Sequence, residues 1–326
     1  MKNYKWGIIG PGKIAAKFAA ALPLAGRATL DAVASGNEER GKEFAARFGA
    51  ARSYTRYEDL AADPLIDAVY VATPHGFHAA HALLCLRQGK AVLCEKPLAL
   101  SARQVQMMVE AARENKAFLM EAMWTRYLPL IEKILELIRD GQLGTIKYVR
   151  ADFGFAAPFN PEGRLYSLPL GGGSLLDIGI YPLFLCQLLL GEPQVIQAAG
   201  HLAATGADET CQALLQYGEG RSAMIHSTLA CQTSITAEIA GTAGLIQLPT
   251  PWYKNDTLTL LRPGEEAQTL SVEPMVNGFE YQIREVTDCL DQGRIESPRH
   301  SHADSLMLSR TMDAIRKQVG VVYPGE

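Results

Sequence analysis

An α/β fold is predicted for this chain: a doubly wound parallel sheet in its first third, then an α/β domain with a large, mostly antiparallel sheet. Three observations carry the prediction. Through Met120, short continuous apolar runs alternate with amphipathic segments, the signature of βαβ units whose sheet is covered on both faces. The first apolar run passes into the first helical pattern through a glycine turn, Gly10-Pro11-Gly12. Beyond Met123 that rhythm gives way to strand-like stretches separated by turn signals.

Lys5–Ile9 reads as the first strand, and Ile14–Leu22 as the helix after the glycine turn. Thr29–Ala34 is a second strand, and Glu38–Phe48 a helix stopped by Gly49. Ala68–Ala72 is a fully apolar strand, Phe77–Gln88 a helix stopped by Gly89, and Ala91–Cys94 the next strand. Ser101 opens a helix with Gln104 three residues on, a capping-box arrangement, and that helix lasts to Asn115. Ala117–Met120 closes the parallel series.

A helix over Leu128–Arg139 ends at Asp140-Gly141, and a strand follows over Tyr148–Phe153. A Gly/Pro-rich loop then leads to Gly171-Gly172-Gly173 and a mostly apolar helix, Leu175–Leu190. Between Val195 and Val272, turns such as Tyr217-Gly218-Glu219-Gly220 and Gly241-Thr242-Ala243-Gly244 punctuate several strands, which predicts antiparallel pairing. Helices over Gly278–Gln292 and Ala303–Val319 complete the pattern. A length of 326 residues fits two domains, placed at residues 1–123 and 124–326.

A formal net charge of −4, with no basic run, gives no field to attract nucleic acid or an acidic membrane. No uninterrupted apolar stretch of membrane-spanning length and no signal-peptide core are read, so a cytoplasmic location is expected. The six cysteines form no C-x-x-C pair, and several, such as Cys94 and Cys186, sit inside apolar runs. Free thiols packed as small hydrophobes, in a reducing compartment, fit that distribution.

Gly7-Ile8-Ile9-Gly10-Pro11-Gly12-Lys13-Ile14-Ala15 places G-x-G-x-x-A between a strand and a helix. Gly10 permits a tight turn, Gly12 lets the backbone approach a pyrophosphate, and Ala15 allows close helix–strand packing. With helix N-terminal amides at Lys13 and Ile14, the segment predicts a Rossmann domain that binds a dinucleotide. An ordinary βα turn has the same glycine content. Asp31 lies at the sequence distance of a ribose-binding carboxylate, but inside the second strand; the strand ends at Ser35-Gly36-Asn37, with Arg40 a turn later. The missing carboxylate and the nearby guanidinium favour NADP, with NAD the alternative. Arg40 reads equally well as a solvated helix residue.

Thr73-Pro74-His75-Gly76-Phe77-His78 follows the third apolar strand, at the carboxyl edge where open α/β sheets bind ligands. His75, His78 and His81 recur every three residues, but no Cys or carboxylate cluster accompanies them. The reading is a cap over the cofactor, and no metal is assigned. Glu95-Lys96-Pro97 ends the next strand, where Lys96 can polarise a carbonyl, lower a neighbour's pKa or hold a ribose hydroxyl. A structural salt bridge between Glu95 and an arginine accounts for it equally. Asp177 and Tyr181, four apart in an otherwise apolar helix after the glycine triplet, share a face and suggest a site. A packing hydrogen bond between a buried tyrosine and a carboxylate is the other account.

Together, the glycine motif, Leu93-Cys94-Glu95-Lys96-Pro97, Met120-Glu121-Ala122-Met123-Trp124-Thr125-Arg126 and Leu176-Asp177-Ile178-Gly179-Ile180-Tyr181 resemble the glucose–fructose oxidoreductase/inositol dehydrogenase-like (Gfo/Idh/MocA) family. The resemblance is strongest to its dimeric dihydrodiol dehydrogenase and NADP-dependent D-xylose dehydrogenase branch. It implies a C-terminal domain whose open sheet faces the active site on one side and forms a homodimer on the other. It implies that Tyr181 is the acid/base at the substrate oxygen, that Lys96 assists the proton transfer and contacts the cofactor ribose, and that Asp177 orients the site. Trp124 and Arg126 are implied to lie near the nicotinamide. That branch often has an arginine directly after the second strand, where this chain has Gly36.

The expected reaction is hydride exchange between a nicotinamide and a carbinol or carbonyl of a sugar, polyol or trans-dihydrodiol. A loop from Pro158 to Leu170, with Trp252 or Tyr253, is expected to shape the substrate pocket. Two other classes remain open: a non-catalytic NAD(P)-binding sensor, which would show no hydride transfer across a polyol panel, and a redox-neutral NAD-dependent glycosidase, which would cleave a glycoside with no net NAD(P)H.

Overall fold

The computed structural model describes residues 2–325. Two compact units divide them, one running to Tyr127 and joined by Val276–Leu306, the other taking Leu128–Met275 and the chain from Met307. The sequence reading ends its first domain four residues earlier and gives everything after it to the second. What returns Val276–Leu306 to the first unit is side-chain chemistry with no local sequence signal. Arg27 forms ion pairs with Asp288 (2.5 Å) and Asp291, and the Tyr4 hydroxyl donates to Asp291 at 2.7 Å.

In the first unit, β1 (Tyr4–Ile9), α1 (Lys13–Ala25), β2 (Ala28–Ala34), α2 (Glu38–Phe48), β3 (Arg52–Tyr54) and α3 (Tyr57–Ala62) come first. Then follow β4 (Ala68–Val71), α4 (His78–Leu86), β5 (Ala91–Glu95), α5 (Ala102–Glu114) and β6 (Leu119–Ala122). All strand pairs are parallel, in the order β3-β2-β1-β4-β5-β6. Strand order reverses between β1 and β4, and the crevice at such a reversal is where doubly wound sheets bind ligands. Val69, Val71, Val92 and Cys94 are fully buried, as continuous apolar strands covered on both faces must be.

Three local differences from the sequence reading have physical reasons. β3 and α3 were not read because a three-residue polar strand shows no periodicity. The helix expected over Phe77–Gln88 is a 3₁₀ turn, His75–Phe77, followed by α4. Ser101 caps α5 through the Gln104 amide (3.4 Å), while the Gln104 side chain accepts from the Leu100 amide (3.1 Å), one residue before the cap.

The second unit opens with α6 (Pro129–Arg139) and β7 (Ile146–Gly154). A π-helical turn, Leu175–Gly179, leads into α7 (Ile180–Leu190). Then come β8 (Val195–Leu202), β9 (Asp208–Tyr217), β10 (Arg221–Thr228), β11 (Ala237–Gly241), β12 (Leu245–Leu248), β13 (Thr257–Leu261) and β14 (Gln268–Ser271). The eight strands lie in the order β14-β13-β12-β11-β7-β10-β9-β8. Only β7 with β10 is parallel; the rest of the sheet is antiparallel. Alternation along β7 buries Val149, Ala151 and Phe153 on the face that α7 packs against, and exposes Arg150 on the other. The remaining helices are α8 (Phe279–Asp291), in the first unit, and α9 (His302–Val319).

Leu168–Leu190 corrects the expectation that no stretch is apolar and long enough to cross a membrane: by length and composition this one is. Here 83% of that window is buried, the signature of a core helix. Its start is anchored by a buried carboxylate. Asp208 accepts from the Leu175 amide (2.7 Å) and the Ser174 hydroxyl (2.8 Å), where helix N-terminal amides favour negative charge. Gly173 sits at φ +128, and a Cβ there would run into the Asp208 carboxylate, so this approach requires glycine.

Burial holds the Asp208 carboxyl up at about 6, despite these two donors. The folded chain therefore binds a proton there more tightly than the unfolded chain does. That contribution to stability is complete below pH ~4 and is lost as pH rises through ~6. Denaturant unfolding between pH 4 and 7 should show the natural chain losing about 2 kcal/mol relative to Asp208→Asn over that window. Parallel pH dependences for the two would contradict this.

Candidate active site

Gly10 turns the chain out of β1 at φ +86, and a Cβ there would stand 2.7 Å from the Thr73 methyl and 2.9 Å from its amide nitrogen. At Gly12 a Cβ would meet nothing within 4 Å. α1 begins immediately afterwards, with no side-chain cap and no acidic residue in its first turn. Its first amides, around exposed Lys13 and half-buried Ile14, therefore present uncompensated partial positive charge to open space. Pro11 and Ala15 are buried behind them. These residues fit a dinucleotide pyrophosphate.

At the end of β2, Ser35 is fully buried and its hydroxyl accepts from the Asn37 amide (3.2 Å). Asn37 in turn caps α2 by accepting from the Arg40 amide (2.9 Å). The Arg40 guanidinium is exposed and makes no ion pair among the described residues. Asp31 is committed elsewhere: Arg52 pairs with it and, at 3.0 Å, with Asp63.

The next two strand ends are tied to each other. The buried His78 ring places Nδ1 2.8 Å from the Pro97 carbonyl oxygen and Nε2 2.8 Å from that of Thr73. Burial lowers its pKa and favours the neutral ring, which donates to only one of them, so the tautomer decides which segment it holds. His81 faces the Thr73 hydroxyl (3.1 Å), and the His75 ring lies 5.5 Å from that of His78. Among the described residues Glu95 pairs with no arginine, the structural alternative left open by its sequence. The Tyr70 hydroxyl donates to it, and its other oxygen accepts from the Lys96 amide (3.2 Å). Burial raises the Glu95 carboxyl to about 6. Tyr70 stacks on Phe18 of α1 at 3.8 Å.

Glu121 was not singled out from the sequence, yet it organises the segment after Lys96. Buried in β6, it accepts from the Leu98 amide (2.9 Å) and the Ser305 hydroxyl (2.7 Å), with His300 Nε2 at 3.2 Å. A carboxylate inside the apolar strand Leu119–Ala122 is the signal that could have found it. Trp124 stacks on Phe279 (5.2 Å), and Arg126 donates from Nε to the Arg299 carbonyl (2.8 Å).

In the second unit, Asp177 and Tyr181 are both buried, Asp177 within the π-helical turn and Tyr181 just after it. Such turns are uncommon and frequently mark functional sites. Arg164, an exposed residue of the loop after β7, reaches Asp177 at 2.9 Å. Aromatic rings surround Tyr181: Phe153 at 5.6 Å and Tyr253 at 5.2 Å, themselves stacked at 4.5 Å. Of the two aromatic residues expected at the pocket, Tyr253 takes this position. Trp252 is buried, its indole N–H donating to the Asp152 carbonyl (3.0 Å). Phe159 is half exposed, its ring edge-on to Tyr166 at 5.0 Å. Five of the six cysteines are buried and none is paired.

Residues 4–123 match the oxidoreductase family with an NAD-binding Rossmann fold, and residues 131–247 match the Gfo/Idh/MocA C-terminal domain. A trans-1,2-dihydrobenzene-1,2-diol dehydrogenase of Danio rerio is 41% identical over 98% of each chain. A 3-ketoreductase from Actinomadura kijaniata, solved with NADP and TDP-benzene, superposes with a TM-score of 0.87 at 27% identity over 98% of each chain. It has also been solved as variants at one lysine and at one tyrosine. A levoglucosan dehydrogenase, at 22% identity over 98% of each chain and a TM-score of 0.89, shares the fold. This chain belongs to the Gfo/Idh/MocA oxidoreductase family.

Proposed function

We propose that this chain is an NAD(P)-dependent oxidoreductase that exchanges a hydride with the carbinol or carbonyl carbon of a small diol, polyol or sugar. The observation that carries the proposal is the buried Tyr181 ring beside those of Phe153 and Tyr253, with a buried carboxylate, Asp177, in the turn before it. A phenol so placed can exchange a proton with a substrate oxygen, and the ring faces suit a cyclic substrate. A relative 41% identical over 98% of each chain, named as a trans-1,2-dihydrobenzene-1,2-diol dehydrogenase, favours a trans-dihydrodiol.

Bound at the open start of α1, the nicotinamide cofactor supplies the hydride acceptor or donor. Gly10, Pro11, Gly12, Lys13 and Ile14 would hold its phosphates, with Ser35 and Arg40 at the adenosine ribose. Thr73, Pro74, His75, His78 and Glu95 would line the next two strand ends, with Trp124 and Arg126 at the nicotinamide. Arg40, without a competing carboxylate partner, favours NADP over NAD. Tyr181 takes the hydroxyl proton during oxidation and returns one during reduction, Lys96 assists that transfer, and Asp177 orients the site.

We further propose a homodimer through the exposed face of the second sheet. Support comes from half-exposed Met224 and from a 470 Å³ depression on that face lined by Arg150, Gln197, Leu214, Met224 and His226.

Steady-state rates at 340 nm test the chemistry. Tyr181→Phe and Lys96→Ala should each lower kcat by roughly 10²–10⁴-fold, the usual contribution of a general acid/base. Arg40→Ala should raise the KM for NADP⁺ about tenfold or more and leave that for NAD⁺ unchanged. Unaltered turnover in the first two would overturn the assigned roles, and equal effects on both cofactors the NADP preference. For the dimer, light scattering should give twice the mass of one chain, and Met224→Asp should halve it; a monomeric natural chain would contradict it.

A further inference from the structure

We infer that Asp152 is a positioning residue for Tyr181, acting from the opposite face of the second sheet. The inference rests on the proposed role of Tyr181. Consecutive residues of a strand point to opposite faces, so Asp152 and Phe153 of β7 project to different sides. Phe153 is one of the rings beside Tyr181.

The Asp152 carboxylate collects the turn that precedes β11. One oxygen accepts from the Ile235 amide (2.9 Å); the other accepts from the Thr236 amide (3.0 Å) and the Ser234 hydroxyl (3.2 Å). No cation pairs with it among the described residues, so it gathers neutral donors and balances no charge. Ile235 is held at φ +51, a region a β-branched side chain occupies only when its surroundings enforce it. In that conformation the Ile235 carbonyl accepts from the Trp252 amide (3.1 Å), and the Trp252 indole N–H returns to the Asp152 carbonyl (3.0 Å).

Three chain segments are thereby closed into one clasp by residues 152, 235 and 252. The residues that follow two of them, Phe153 and Tyr253, are the rings beside Tyr181, stacked 4.5 Å apart at 18°. The clasp thus sets where both rings stand, and through them how Tyr181 is held. Removing the carboxylate leaves the Ile235 and Thr236 amides without an acceptor and releases Ile235 towards ordinary φ. It also loosens the Trp252-Tyr253 segment.

The test compares the natural chain with Asp152→Ala, Asp152→Asn and Trp252→Phe, using NADP⁺ and a trans-dihydrodiol, aldose and polyol panel. Circular dichroism confirms folding at the assay temperature. A displaced but present acid/base predicts that Asp152→Ala loses about ten- to hundredfold in kcat with the KM for NADP⁺ unchanged. Asp152→Asn, which keeps one acceptor oxygen, should recover most of the loss. Trp252→Phe should lose several-fold, and it decides the question if the alanine variant does not fold. Folded Asp152→Ala and Trp252→Phe with full kcat would overturn the clasp while leaving the proposed function intact. A natural chain that turns over none of the panel with either NADP⁺ or NAD⁺ would remove the proposed function, and the inference with it.

Discussion

A carboxylate taken out of water must be met by hydrogen-bond donors, and in this chain those donors include backbone amides of the segments around the site. Glu95 accepts from Lys96, Glu121 from Leu98, Asp208 from Leu175, and Asp152 from Ile235 and Thr236. Each acid fixes a loop or turn that sheet and helix packing alone would leave free. Regular structure gives the two units their cores; buried acids, and half-buried Asp152, set the irregular backbone beside them.

Within the first unit the consequence is a row of strand ends held in register. His78 lies between the Thr73 and Pro97 carbonyls, and Glu121 holds Leu98 against Ser305 and His300. The start of α1, after the glycine turn, has neither a side-chain cap nor an acidic residue in its first turn, and that is where a phosphate fits. Within the second unit, Asp208 fixes where the π-helical turn begins. Asp177 and Tyr181 therefore enter the core at a defined register on an otherwise apolar helix. Polar groups on such a helix cost stability unless they are partnered, which makes their presence informative.

Legibility followed the range of the interactions. The parallel strands and most helices were readable because periodicity and caps act within a few residues; α2 begins and ends where Asn37 and Gly49 place it. β3 and α3 were not, being too short and polar to show a period. The return of Val276–Leu306 to the first unit was invisible because Arg27 meets Asp288 and Asp291 only in three dimensions. The glycine turn, Lys96 and Tyr181 could be singled out by motif. Glu121, Asp208 and Asp152 could not, since the donors that give each its role come from distant segments. A lone acid inside an apolar strand was the one local clue, and it exists for Glu121 alone.

The central claim is direct hydride exchange at a carbinol carbon. Its most direct test is to incubate the chain with NADP⁺ and a trans-dihydrodiol or aldose deuterated at the reacting carbon, then locate the label by mass spectrometry. The account predicts one deuterium in the nicotinamide ring of the reduced cofactor and none in solvent. Label that stays in the substrate carbon skeleton, or that washes into water, would contradict it.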